Sequence, residues 1–120
     1  MIQLAPQMRI LVAVEPADFR KGIDGLAQLA REELASDPFS GWIFVFRNRR
    51  STAVKILVYD GQGFWLCQKR LSKGRFRFWP DRDVKPARVL AAHELQVLLS
   101  AGDYEAAQGA PSWRRLSAGT

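Results

Sequence analysis

Nine cationic side chains fall between residues 47 and 77: Arg47, Arg49, Arg50, Lys55, Lys69, Arg70, Lys73, Arg75 and Arg77. Guanidinium forks and ammonium groups at this density bind anionic oxygens, the forks two at a time and the ammonium as a point charge. Residues 47–82 carry 10 basic and 2 acidic side chains, a net of +8. Residues 1–46 carry 4 and 6, and residues 83–120 carry 4 and 4, so the whole excess of +6 lies in the middle third. Charge of one sign attracts a polyanion and speeds its capture. Nucleic acid is the commonest cellular polyanion, held first through its phosphates. The plainer reading is a solvated face that keeps the protein soluble. A membrane-surface role fits less well, because the cations are not on an amphipathic helix.

Catalytic constellations are harder to find. Phosphoryl-transfer and nuclease chemistry need carboxylates that hold divalent metals. The central segment offers Asp60 and Asp81, with Asp83 just beyond. Asp60 is explained by a turn, Asp60-Gly61-Gln62-Gly63. An Asp…Asp-x-Lys pattern from Asp60 and Asp83-Val84-Lys85 places Lys85 against a proline rather than on a strand, which argues against it. Asp18 and Asp24 are explained by helix capping and solvent exposure. His93 lies on a predicted helix as a surface or packing residue. Cys67, the one cysteine, reads as a small mid-strand core residue and excludes an internal disulfide and a cysteine-based zinc site. The expectation is a protein without catalytic residues, metal or other cofactor.

The elements that must position the cations follow from periodicity. Met8–Val14 is a β-type run ended by Glu15-Pro16. A helix is expected to open at Pro16 and Asp18, with Phe19, Ile23, Leu26, Ala27, Ala30 and Leu34 on its apolar face. Gly22 and Gly25 weaken its first turns or pack against backbone. Residues 42–47, 54–59, 64–70 and 75–79 alternate as four short strands joined by short turns. On the fourth, Arg75 and Arg77 share one face and Phe76 and Phe78 the other. Trp65 and Trp79 are expected in the core. Pro86 is expected to start a second helix, with Val89, Leu90, Ala92, Leu95, Leu98 and Leu99 inward and Gly102 as its stop. The predicted fold is α+β: a curved antiparallel β-meander of four to five strands packed against two helices. At 120 residues, 48% hydrophobic and 25% charged, the chain suits one domain, residues 1–105, with an Ala/Gly/Ser-rich flexible tail at 106–120. No apolar run approaches a membrane span, and the N-terminus lacks the basic and apolar regions of a signal peptide. A cytoplasmic, nucleoid-associated protein is expected.

Several ordered blocks then resemble one family. Asp18-Phe19-Arg20-Lys21-Gly22-Ile23-Asp24-Gly25-Leu26 is similar to its "D-M-R-K-G-x-D-G-L" signature. Asp37-Pro38-Phe39-Ser40-Gly41 with Phe44-Val45-Phe46-Arg47-Asn48-Arg49-Arg50 resembles a second block. Lys55-Ile56-Leu57, Tyr59-Asp60-Gly61-Gln62-Gly63-Phe64, Lys69-Arg70-Leu71, Gly74-Arg75-Phe76 and Trp79-Pro80 resemble a third. The family is TnpB, the small accessory protein of insertion sequence 66 elements, and the resemblance spans about residues 8–102. Phe19 stands where Met is usual, and Val58-Tyr59 where two tryptophans often stand. The resemblance implies a non-catalytic factor that assists a separate transposase. Expected partners are DNA, at the element's ends, and the transposase and other proteins of the same element. The roles of the signature residues Asp18, Arg20, Lys21, Gly22 and Asp24 do not come with it. Two expectations follow: DNA held by the nine cations, or a protein-interaction module that binds the transposase without touching DNA.

Overall fold

A computed structural model of the chain describes residues 8–80 and 85–108. The elements in chain order are β1 (Ile10–Ala13), α1 (Ile23–Glu32), β2 (Ile43–Arg47), β3 (Ala53–Tyr59), β4 (Phe64–Arg70), β5 (Ala87–Leu90), α2 (Ala92–Leu99) and α3 (Tyr104–Gln108). The strands form one open sheet in the order β4-β3-β2-β1-β5. Strands β2, β3 and β4 are the antiparallel meander that alternation predicts. The Asp60–Gly63 turn joins the last two; Gly61 there has φ +95°, a conformation that side chains resist.

The expected all-antiparallel meander needs three corrections, although the class remains α+β. First, β1 runs parallel to β2, pairing Ile10 with Ile43. The connection between them contains α1, and a parallel neighbour requires such a crossover. Second, residues 75–79 are not a strand. Phe76 and Trp79, three apart, are buried, while Phe78 is 43% exposed. The segment crosses a sheet face instead of extending its edge, and the Trp79 indole N–H donates to the Ala13 carbonyl at 2.8 Å. Third, Pro86 leads into a strand, not a helix. β5 pairs antiparallel with β1, Ala13 opposite Ala87, and Val14 N–H donates to Pro86 O at 2.9 Å. The open edge of β1 supplies hydrogen bonds that a longer helix would forgo, so α2 begins only at Ala92, where Glu94 accepts from Ala91 N–H at 2.7 Å.

Two apolar layers result. Leu11, Ala13, Phe44, Phe46 and Leu57 pack against Leu26 and Ala30 of α1 and against Leu34 just beyond its end. On the other face Ile10, Val12, Ile43, Val45, Val54 and Ile56 are covered by Phe76, Trp79, Leu95, Leu98 and Tyr104. The expected tail begins at 106, but α3 runs to Gln108; residues 109–120 lie outside the described residues.

One polar side chain lies within the α1-facing layer. Lys55, on β3, is 8% exposed. Its Nζ donates to Phe19 O at 2.9 Å and Lys21 O at 3.0 Å and lies 5.0 Å from the Phe19 ring centre. A buried ammonium is tolerated only when so partnered. Helix α1 therefore starts later than its apolar periodicity suggests: residues 18–22 form a loop pinned to the sheet by Lys55. Replacing Lys55 by Met keeps the stem but leaves two carbonyls without their donor. That variant should lose about 2–3 kcal/mol of stability, read as a lower urea midpoint. Trp79→Phe should lose about 1 kcal/mol through its single hydrogen bond.

Candidate nucleic-acid interface

Strand directions place the C-terminal ends of β1, β2 and β4 and the N-terminal ends of β3 and β5 at one end of the sheet. The β2–β3 turn occupies that end. Asn48 shapes it: its Oδ1 accepts from Thr52 N–H at 2.9 Å and Ala53 N–H at 3.1 Å, and its amide donates to Thr52 Oγ1 at 2.9 Å. Arg49 and Arg50 are thereby exposed at the turn. Three further backbone bonds draw other segments to it. Leu71 N–H donates to Thr52 O at 2.9 Å, Phe76 N–H to Ser51 O at 2.8 Å and Ala17 N–H to Arg47 O at 2.9 Å.

The nine sequence-nominated cations separate accordingly. Arg49, Arg50, Arg70, Lys73, Arg75 and Arg77 are exposed, and the backbone bonds above bring their segments around this end. None of the six forms an ion pair with a described residue. Lys55 is withdrawn from any surface by its burial. Arg47 is half-buried, donating to Ser51 Oγ at 3.0 Å and Val14 O at 3.4 Å; it braces the turn. Lys69 donates to Leu99 O at 2.7 Å, capping the C-terminal turn of α2, where a cation complements the helix dipole. Contrary to expectation, Trp65 is 57% exposed. Its indole donates to Asp60 Oδ2 at 2.8 Å. Asp60 also accepts from Gln62 and Gly63 N–H, and these bonds, led by Gly63, hold its carboxyl below the usual range. That agrees with its turn-forming role. Asp81 and Asp83 lie outside the described residues. Among the described residues no three His, Cys, Asp or Glu side chains are placed to hold a metal ion, and no helix is long and apolar enough to cross a membrane.

Charge counting passed over the signature loop, because residues 1–46 are acidic overall. The fold sets this loop against the turn: Pro16, Ala17, Asp18, Phe19 and Arg20 face Asn48 and Arg49 across an open cleft of about 490 Å³. Within the loop, Asp18 Oδ1 accepts from Arg20 N–H at 2.9 Å. The Arg20 guanidinium returns to the same carboxylate through Nε at 3.1 Å and Nη2 at 2.8 Å. Gly22 is the N-cap position of α1 and Asp24 sits in its first turn, where a negative charge suits the helix dipole. Gly25 lies under the Lys21 side chain, so a Cβ there would meet Lys21 Cβ at 2.9 Å. Asp18 thus closes a turn before α1 instead of capping the helix.

Comparison with known proteins covers this region together with the rest of the described fold. The profile of the "IS66 Orf2 like protein" family matches residues 8–109. This chain therefore belongs to the IS66 Orf2-like family, and membership points to an accessory role in transposition beside the element's transposase. Two relatives from Sinorhizobium fredii (strain NBRC 101917 / NGR234) are similar to it. "Uncharacterized protein y4jC" is 38% identical over 97 residues, 81% of each chain. "Uncharacterized protein y4hO" is 34% identical over 119 residues, 99% of this chain and all of the relative. No solved structure matches.

The hydrogen bonds from Arg20, foremost those of its side chain, lower the Asp18 pKa from 3.8 to about 2, and the Arg20 pKa rises in return. A depressed carboxylate stabilises the fold above its unfolded pKa, and that contribution is lost as pH falls through the folded value. The Asp18–Arg20 contribution should persist at pH 4 and above and disappear as pH drops towards 2. Carboxyl NMR titration checks this, and Arg20→Ala should return Asp18 towards 3.8.

Proposed function

We propose that the protein is a non-catalytic accessory factor that binds DNA at the cationic end of its sheet and helps a separate transposase engage the ends of its element. The observation that carries this reading is the gathering of Arg49, Arg50, Arg70, Lys73, Arg75 and Arg77 around one end without ion-pair partners among the described residues. Exposed cations left unneutralised exchange their counterions for phosphates, the driving force of backbone binding. Each such contact steepens the fall of affinity with salt, by about 0.9 in the log–log slope on duplex DNA. Binding of a random-sequence duplex, followed by anisotropy at several salt concentrations, should weaken steeply. Replacing Arg49, Arg50, Arg75 and Arg77 together by Ala should flatten that slope by about 3 or more while leaving the urea midpoint near wild type. Absence of any binding at low salt would remove the proposal.

A second reading, compatible with the first, is a transposase-docking module. It is favoured by exposed aromatics at the opposite end: Phe39, 51% exposed, packs on Tyr59 and Phe64 with ring centres 4.9 and 5.1 Å away. Aromatic anchors of this kind are common in interfaces. Co-purification with the transposase that survives nuclease treatment, and is lost in Phe39→Ser, would support it.

A further inference from the structure

We infer that Arg20 is a base-reading residue: its guanidinium is oriented by Asp18 to take the O6 and N7 acceptors of a guanine. The inference rests on the cationic end being a nucleic-acid surface, and it adds a residue and a ligand edge that charge alone does not supply.

The geometry of the guanidinium comes first. Asp18 occupies one edge of the fork, through Nε at 3.1 Å and Nη2 at 2.8 Å. The other edge, Nη1 together with the second hydrogen of Nη2, is left for a guest. The side chain is 91% exposed, so a guest can reach that edge. An unsupported arginine at such exposure would lose much rotamer freedom on binding. This one is held in advance. Its carboxylate partner is itself fixed by Arg20 N–H at 2.9 Å, and the carbonyls on either side of Arg20 are fixed by the Lys55 ammonium. The loop and the guanidinium thus form one pre-set unit on the rim of the cleft that Arg49 also lines.

Charge then selects between the two acceptor classes that fit an arginine fork. A phosphate would meet the Asp18 carboxylate beside its arginine, and the attraction of one charge is offset by the repulsion of the other. Asp18 stays ionised down to very acid pH, since Arg20 lowers its pKa to about 2. A guanine edge carries no net charge and offers two acceptors at the spacing of the fork. It gains both hydrogen bonds without the repulsion. The neighbouring free cations at the β2–β3 turn and at 70–77 supply the phosphate attraction, so reading and holding fall to different residues.

The test compares two pools of random-sequence 20-bp duplex DNA, one ordinary and one with 7-deazaguanine in place of guanine, which deletes N7 and keeps the charge. Wild-type protein should bind the ordinary pool about ten-fold more tightly. Arg20→Lys, which keeps the charge but not the fork, should bring the ratio to about one while affinity for the 7-deaza pool stays near wild type. Asp18→Asn should also lower the ratio, without weakening binding to the 7-deaza pool. Near-UV circular dichroism checks that both variants are folded. Equal binding of the two pools by wild type, or a ratio that persists in Arg20→Lys, would overturn the inference while leaving the DNA-binding proposal standing. Failure to bind either pool at low salt would instead remove that proposal, and the inference with it.

Discussion

A buried ammonium organises this molecule. Lys55 sits in the middle of β3, between Phe46 on one neighbouring strand and Gln68 on the other. Removing such a charge from water costs several kcal/mol before compensation. Compensation comes from two carbonyl oxygens and an aromatic face, all within the loop that precedes α1. The loop is thereby obliged to lie on the sheet in one conformation, because any displacement strands the charge. The start of α1, the Asp18–Arg20 pair and the cleft wall follow from that one constraint. A methionine of similar length would fill the same volume but would not fix the loop, since dispersion does not discriminate between nearby backbone positions as a hydrogen bond does.

Much of the fold is legible in the sequence where the signal is local. Alternation in residues 43–47, 53–59 and 64–70 marks β2, β3 and β4, and Asp60-Gly61 marks their turn. The three-and-four spacing from Ile23 to Ala30 marks α1. What pattern does not encode is partnership. The run Ile10–Ala13 reads as a strand, but nothing in it says that its neighbours are a parallel β2 and a β5 near the C-terminus. Ala87–Leu90 is apolar at positions that suit helix or strand equally, and the vacant edge of β1 decides. Arg75–Trp79 alternates convincingly, yet Phe76 and Trp79 are used at a spacing of three to cover a face, because the Trp79 indole has a carbonyl to reach.

The candidate site divides in the same way. Clustered positive charge is visible without a structure, and six of the nine nominated side chains are exposed around one end with, among the described residues, no ion pair and no backbone carbonyl of the kind that holds Lys69. Lys55 and Lys69 were indistinguishable from them in sequence. Their partners are backbone carbonyls, which every residue possesses, so the commitment leaves no trace in residue type. Arg20 was hidden for the opposite reason: its acidic neighbours diluted its charge, and it takes the folded chain, through the Lys55 bonds and the hydrogen bond from Ala17 to Arg47, to bring its loop to the basic turn. The resemblance to a signature marked those residues without explaining them. The structure explains Asp18 by the turn it closes, Gly22 by the helix it begins and Gly25 by the lysine stem it accommodates.

The placement of β1 also bears on how the chain reaches its native state. This strand leaves the ribosome before either of its partners, which lie about 33 and 80 positions further on. Until both arrive, its backbone donors and acceptors must be satisfied by water, and its apolar side chains have only partial cover. Such long-range closure slows folding relative to a sheet built from successive hairpins. The β2–β3–β4 hairpins can assemble early and on their own schedule. The first-made strand of this sheet is therefore locked in late, when β5 completes the far edge.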